Sequence, residues 1–164
     1  MSPEQGVTPA AMREAMRLLP TAVAVVSAGQ DGTPYGLTVG SFFSLSLDPP
    51  MIGFGVRAQS VSWPRIAALG RFRVNVLNAS QAAVSAAMAR SGSAKFQAVD
   101  WTWSARGNPA VTGALLGVEC ALDRVLAAGD HVLVTARVEE MDVVAPDLPL
   151  VWFQRGYRTL ERRA

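Results

Sequence analysis

Short apolar segments separated by turn residues make up most of this sequence, and this pattern limits the possible folds. Residues 21–28 and 35–47 flank the turn sequence 29–32 (Gly-Gln-Asp-Gly), which predicts a β-hairpin. Residues 118–126 and 131–141 flank the turn at 127–130 and predict a second hairpin. Further strands are predicted over residues 51–56, 72–77 and 150–153. Helices are too few for alternating βαβ units, so we expect a mainly β fold, an antiparallel barrel with peripheral helices.

Three helices are predicted around this β framework. An amphipathic helix spans residues 9–19, with Thr8 as its N-cap and Pro9 in the first helical position. A second helix covers residues 65–69, and a third covers residues 80–89 with Ser80 as its cap. Residues 95–117 are predicted to be irregular.

Composition indicates one globular domain over residues 1–164. Half of the residues are hydrophobic and 17% are charged, which is enough to bury a core and excludes disorder. The apolar runs are shorter than the roughly 18 residues that a membrane span needs, and residues 1–5 show no signal-peptide pattern. We therefore expect a cytoplasmic protein with no membrane partner.

The inventory of reactive side chains is small. Cys120 is the one cysteine and His131 the one histidine, so counting excludes an internal disulfide and a single-chain zinc site, and no metal is expected. Cys120 is predicted to be a small buried residue. Four of the fourteen arginines fall in the last ten residues, at positions 155, 158, 162 and 163. Nucleic-acid binding would need a denser basic stripe with interleaved aromatic rings, so this segment predicts a solvated end and no nucleic-acid partner.

Sequence motifs for common enzyme classes do not fit their contexts. Residues 53–58 spell G-x-G-x-x-A, but serines and Pro64 follow where a dinucleotide-binding fold would continue into a helix. His131 stands next to Asp130, but neighbours on a strand point to opposite faces, so we expect no catalytic pair. Hydrolase chemistry is therefore unsupported.

Two polar groups leave structural and functional interpretations open. Arg57, Ser60 and Ser62 stand before a predicted helix, where they form either an ordinary cap or an anion site. The segment 38–46 alternates hydroxyl and apolar side chains, which indicates either a solvent-facing strand or a strand along a flat polar ligand. Gly40 would allow such a ligand to come close.

Five stretches in this order carry a family resemblance: residues 36–50, which end in Asp-Pro-Pro, 72–77, Lys95-Phe96, 129–131 (Gly-Asp-His) and 149–153. Together they resemble the flavin reductase family, which has the FMN-binding split-barrel fold and supplies the reductase component of two-component flavin-dependent monooxygenases. The resemblance covers about residues 11–160. It implies an NAD(P)H:flavin oxidoreductase that reduces FMN or FAD by hydride transfer, with NADH or NADPH as donor. It also implies a homodimer that supplies reduced flavin to a separate monooxygenase.

The same resemblance implies a set of site residues. Along the isoalloxazine ring and ribityl chain it places Thr38, Val39, Gly40, Ser41 and Ser44. At the flavin phosphate it places Ala58, Gln59, Ser60 and Ser62, and on the far side of the flavin Lys95 and Phe96. His131 corresponds to the histidine on the nicotinamide side, where it positions the donor, and Tyr157 joins it there. Gly40 stands where many members have Asn or Ser, which removes one polar flavin contact.

Two other functions remain compatible with the sequence. One is a flavin-binding carrier or electron-transfer protein without NAD(P)H turnover, which would have no need of a histidine on the nicotinamide side. The other is an interaction domain that binds no flavin, in which the Ser-rich strand is ordinary sheet. Because flavin itself accepts the hydride, a chain with one histidine and one cysteine can still be an enzyme.

Overall fold

The structure is a computed structural model that describes residues 6–143 and 147–161. Its helices are α1 (Pro9–Met16), α2 (Trp63–Leu69), α3 (Ala82–Met88) and a 3₁₀-helix (Ser93–Ala98). Its strands are β1 (Thr21–Ala22), β2 (Ala24–Gln30), β3 (Thr33–Val39), β4 (Phe43–Leu47), β5 (Pro50–Arg57), β6 (Arg71–Val76), β7 (Trp101–Trp103), β8 (Pro109–Val111), β9 (Leu116–Ala128), β10 (His131–Val143), β11 (Val151–Phe153) and β12 (Gly156–Arg158). The mainly β prediction is confirmed.

A seven-stranded sheet forms the centre of the molecule, in the order β3-β2-β6-β9-β10-β5-β4. Each neighbouring pair in it is antiparallel. Both predicted hairpins are confirmed, β2–β3 around Asp31-Gly32 and β9–β10 around Gly129-Asp130. The long β9–β10 hairpin lies in the middle of the sheet and joins its two halves.

The predicted single strand over residues 35–47 is wrong, because the chain forms β3 and β4 at opposite edges of the sheet. Only residues 40–42 separate the two strands, so β3 ends at most about 15 Å from the start of β4. A flat sheet of seven strands would place its edges about 29 Å apart. The sheet is therefore strongly curled, and its two edges approach each other at this crossing.

Two apolar clusters fill the fold, one on each side of β2. Ala24, Val26 and Ala28 belong to the first cluster, whereas Val23 and Val25 belong to the second. In the first cluster the rings of Phe54, Phe72 and Trp63 meet edge to face. The second cluster packs beneath α3 and the 3₁₀-helix and contains Met88 and Phe96. The continuous apolar sequence of β2 reflects this burial on both faces.

The helix starts differ in detail from the prediction. Thr8 caps α1 as predicted, since its hydroxyl accepts a hydrogen bond from the Ala11 amide. Ser80 does not cap α3, because that helix begins at Ala82 and the Ser80 hydroxyl donates to Asn78 instead. Local polar contacts within residues 78–81 therefore delay the start of α3.

Residues 95–117, predicted to be irregular, contain part of the 3₁₀-helix, the β7–β8 hairpin and the start of β9. Cys120 is buried as predicted, and burial raises the pKa of its thiol to about 12.

The two chain ends bear on the remaining predictions. Arg155 and Arg158 are exposed, whereas positions 162 and 163 and the residues 1–5 used for the targeting prediction lie outside the described residues. Within the described chain, no helix has both the length and the apolar character needed to cross a membrane.

Candidate functional site

A cavity of about 940 Å³ opens where the curled sheet brings its edges together. Five segments line it: the end of β3 with residues 40–41, the end of β5 with residues 59–62, the end of α3 with residues 89–95, the end of β9 at Ala128, and the start of β10. The segments come from distant parts of the sequence, so the cavity depends on the complete sheet. Its volume lies within the 300–1,000 Å³ that is usual for cofactor sites.

The electrostatic character of this cavity is positive. Arg57, Arg90 and Lys95 line it together with His131, and none of the described residues in its wall is Asp or Glu. A concave surface lined by positive charges attracts and orients anionic ligands. The cavity is therefore suited to a ligand that carries phosphate.

Lys95 is the buried cation of this wall, with 6% of its surface exposed. Its ammonium donates to the Gly36 carbonyl, to the Ser62 hydroxyl at 3.2 Å and to the Arg90 carbonyl at 3.0 Å. These acceptors are neutral, and burial lowers the pKa of Lys95. An anion beside Lys95 would offset the cost of burying its charge.

The loop after β5 holds the second polar wall. The Ser60 hydroxyl accepts from the Trp63 amide at 3.2 Å and caps α2, whereas Ser62 forms no side-chain cap and instead accepts from Lys95. The cap interpretation is therefore right for Ser60, although Ser60 also lines the cavity. Because α2 has only seven residues, the charges of Lys95 and Arg57 matter more here than its dipole.

On the β3 side of the cavity, the hydroxyl groups of Thr38 and Ser41 form hydrogen bonds within the protein. Thr38 donates to the Ser85 carbonyl at 2.9 Å and so attaches β3 to α3. The Ser41 hydroxyl accepts from the Gly55 amide at 2.8 Å and donates to the Gly55 carbonyl at 3.1 Å, which ties the crossing segment to β5. Gly40 lies between them and is exposed, and a Cβ atom there would meet only the Thr21 hydroxyl, at 3.4 Å. A flat ligand can therefore approach the backbone at this point.

His131 and Asp130 do form a pair, contrary to the prediction. Nδ1 of His131 lies 2.7 Å from a carboxylate oxygen of Asp130. Asp130 belongs to the turn before β10, so the alternation of side chains along a strand does not apply to it. The hydrogen bond and charge of His131 lower the pKa of Asp130. Since an ionised carboxylate only accepts, Nδ1 carries the proton, and this fixes the tautomer of neutral His131.

The structure gathers nine of the predicted site residues around the cavity and leaves four away from it. Those in the wall are Thr38, Val39, Gly40, Ser41, Gln59, Ser60, Ser62, Lys95 and His131, the last being the predicted catalytic residue. Those away from the wall are Ser44, Ala58, Phe96 and Tyr157.

The four outside the wall have structural surroundings of their own. Ser44 is exposed on β4, and the Ala58 amide donates to the Asp130 carbonyl at 3.0 Å. Phe96 is buried against Trp101, and the Tyr157 hydroxyl donates to the Ser85 hydroxyl at 2.9 Å. Tyr157 therefore stabilises α3 by a hydrogen bond outside the cavity wall. Sequence reasoning missed Met88 and Arg90, which no motif distinguishes from an ordinary helix end.

The residues present fit a flavin. The cavity has suitable size and positive charge, an open backbone segment at Gly40, and hydroxyl and ammonium groups near Ser62 for a phosphate. His131 lines the same cavity from β10, where a second ligand could meet the first.

Comparison with known proteins agrees with this chemistry. Residues 16–161 match the flavin reductase like domain, and the chain belongs to this family. It is 36% identical over 152 residues to a flavin reductase of Pseudomonas putida, covering 92% of this chain and 89% of that protein. It is 32% identical over 157 residues to HsaB, the reductase subunit of a flavin-dependent monooxygenase of Rhodococcus jostii, covering 96% and 80% of the two chains.

A solved structure gives the same result at the level of the fold. The NADH:FAD oxidoreductase of Streptomyces globisporus, solved in complex with NAD and FAD fragments, superposes with a TM-score of 0.90 at 30% identity. The match covers 98% of this chain and 99% of that one. The family resemblance seen in the sequence is therefore confirmed.

Proposed function

We propose that this chain is an NAD(P)H-dependent flavin reductase that acts as one domain over residues 1–164. It reduces FMN or FAD with NADH or NADPH and releases reduced flavin to a separate flavin-dependent monooxygenase. The observation that carries this proposal is the cavity of about 940 Å³, which combines a buried Lys95 with His131 and has no Asp or Glu among its described wall residues. The similarity of this chain to the Pseudomonas, Rhodococcus and Streptomyces reductases described above supports it.

The residues of the cavity act by placing the two ligands. A bound flavin supplies the hydride-accepting chemistry, so the protein needs no nucleophile or acid pair. Residues 38–41 offer backbone groups to the flavin ring, and Ser60 and Ser62 hold its phosphate. The resemblance places Lys95 on the far side of the flavin, but its ammonium donates to Ser62, so we place its positive charge beside the phosphate instead. His131 orients the nicotinamide, and its bond to Asp130 keeps the imidazole from rotating.

The finer fold assignment is the FMN-binding split barrel. The curled seven-stranded sheet and the two hydrogen bonds between Ser41 and Gly55 support it, because they join the crossing segment to β5, the strand next to the edge strand β4.

The active form is a homodimer. Leu47, Met141 and Val143 support this state, since they expose apolar side chains at one end of the sheet. Light scattering of the purified protein would measure a mass of twice 17.4 kDa if the homodimer forms.

The test of the proposed activity is the loss of NADH absorbance in the presence and absence of FMN, FAD and riboflavin. We expect many turnovers that require free flavin. Tight flavin binding without NADH or NADPH oxidation would overturn the reductase and favour a flavin carrier. A protein that binds no flavin would exclude both.

A further inference from the structure

A second cavity of about 250 Å³ adjoins the first and shares Val61, Ser62 and Lys95 with it. The start of β3, the first turn of α2 and residues 92–93 form its remaining walls. Its volume is below the roughly 300 Å³ at which pockets hold a whole drug-sized ligand. The second cavity, called the annex below, therefore has room for only part of such a ligand, and an occupant would continue into the main cavity.

The annex offers charge and a flat stacking group. Lys95 stands between the two cavities, and its three hydrogen-bond acceptors are all neutral. Arg65 is exposed, and its guanidinium carbon lies 5.7 Å from the centre of the Tyr35 ring. None of the described residues that line the annex is acidic. A planar guanidinium both binds phosphate and stacks on aromatic rings, so this wall suits a phosphate attached to a flat base.

The position of the annex relative to the phosphate groups identifies which part of a ligand reaches it. In the proposed function, the flavin phosphate lies at Ser62 with the positive charge of Lys95 beside it, and these two residues also form the boundary of the annex. In FAD, the chemical group that follows this phosphate is an adenylate. His131, on the proposed nicotinamide side, does not line the annex.

We propose that the annex binds the adenylate half of a dinucleotide, with Arg65 stacked on the base, and that FAD is the dinucleotide. This inference rests on the proposed function. Under this proposal Arg65 is a specificity residue that favours FAD over FMN. FMN has no group beyond its phosphate, so it does not reach into the annex.

The test compares binding of FAD, FMN and riboflavin to the wild-type protein and to Arg65→Ala, followed by quenching of flavin fluorescence. We expect the wild type to bind FAD more tightly than FMN. Arg65→Ala should lose about tenfold in FAD affinity and change FMN affinity less than twofold. Arg13→Ala removes a positive charge that is also exposed, on α1, and is the matched control, which should leave both affinities unchanged. Arg65→Gln should repeat the result if Arg65→Ala unfolds more easily.

A second arm of the experiment identifies the source of the adenylate. The KM for NADH is measured with FMN as acceptor, and AMP is added as a competitor. A raised KM for NADH in Arg65→Ala, with unchanged FAD affinity, would assign the annex to the adenylate of NADH. Competition of AMP with FAD binding that Arg65→Ala abolishes would support the FAD assignment.

The remaining outcomes overturn either the annex site alone or the annex site together with the proposed function. Equal wild-type affinities for FAD and FMN, or equal losses for both in Arg65→Ala, would remove the annex site and leave the reductase standing. Absence of any flavin binding by the wild type would overturn the proposed function and the annex together.

Discussion

Lys95 combines burial, positive charge and neutral neighbours at the boundary of the two cavities. Its ammonium is held by two backbone carbonyls and one hydroxyl, and burial lowers its pKa below the usual 10.5. A residue in this environment gains more from a nearby anion than an exposed lysine would, because water screens it less.

The first prediction concerns the pH dependence of flavin binding. A bound phosphate raises the pKa of Lys95 relative to the free protein, so binding of FMN is coupled to protonation of Lys95. The ratio of FMN to riboflavin affinity should therefore fall as pH rises from neutral through the lowered pKa of Lys95. Fluorescence titrations across this range would measure it, and riboflavin controls for titration of the ring. In Lys95→Gln the ratio should be flat, and the same fall in both proteins would contradict the prediction.

His131 gives a prediction about the hydride donor. His131→Ala removes a side chain proposed to orient the nicotinamide, and loss of such a hydrogen bond corresponds to about 1 kcal/mol or more, or roughly a fivefold to tenfold effect. The KM for NADH should rise by about that factor while the KM for flavin changes little. Steady-state kinetics with each substrate varied would separate the two. Equal increases for both substrates would show that His131 has another role.

Among the elements, β3 shows how closely the sheet packs against the helices. A Cβ atom at Gly36 would overlap Met88 of α3 and lie 3.0 Å from Phe96 of the 3₁₀-helix. A Cβ atom at Gly40 would meet only the Thr21 hydroxyl, at 3.4 Å. The two glycines of one segment therefore serve different purposes, close packing at Gly36 and open approach at Gly40.

This contrast predicts different costs for the same substitution. Gly36→Ala should lower the free energy of unfolding by about 1–3 kcal/mol, because the added methyl group overpacks the core. Gly40→Ala should change it by less than about 0.5 kcal/mol. Urea denaturation of the two variants would test this, and equal stabilities would show that α3 shifts to accommodate the methyl group.

Local sequence predicted the hairpins but not the crossing between β3 and β4. The hairpins have strong turn sequences at 29–32 and 127–130, which act over short distances. The crossing at residues 40–42 contains no proline and depends on Ser41 meeting Gly55, a tertiary contact. Strands β7, β8 and β12 have three residues each, too few to show a period.

The site was partly predictable for a similar reason. Family resemblance indicated Ser60, Ser62, Lys95 and His131, which line one cavity. It did not indicate Arg90, which reaches the cavity only because α3 packs across β3. The pairing of His131 with Asp130 was not predicted, because the sequence alone does not show that the turn includes Asp130. The alternation of side chains along β10 begins only after that turn.

At the scale of the whole molecule, a buried ion pair joins β6 to the β9–β10 hairpin. Arg73 on β6 is 5% exposed and donates to Glu119 on β9, which is 3% exposed, at 3.1 Å. Arg73 also donates to Asp142 on β10, and Glu119 accepts from Asn108 near β8. Four separate segments of the chain thus meet at one charge pair.

This network should be far more sensitive than the surface pairs nearby. Arg73→Met leaves Glu119 buried without its cation and should cost about 3–5 kcal/mol of unfolding free energy. Arg71→Met, two residues away on the same strand, removes an exposed pair with Glu139 and should cost less than about 1 kcal/mol. Denaturation curves would compare them. Similar costs for both variants would mean that water reaches Glu119 once Arg73 is removed.

The order of strands in the sheet also has a consequence for folding kinetics. The cavity has one wall on β3 and the opposite wall on β5 and β10, and the pairing of Arg57 with His131 joins segments far apart in sequence. Such distant pairings close large loops and form slowly. A ligand that spans both walls stabilises the finished sheet more than any partly folded state. Bound flavin should therefore lower the unfolding rate while leaving the refolding rate almost unchanged.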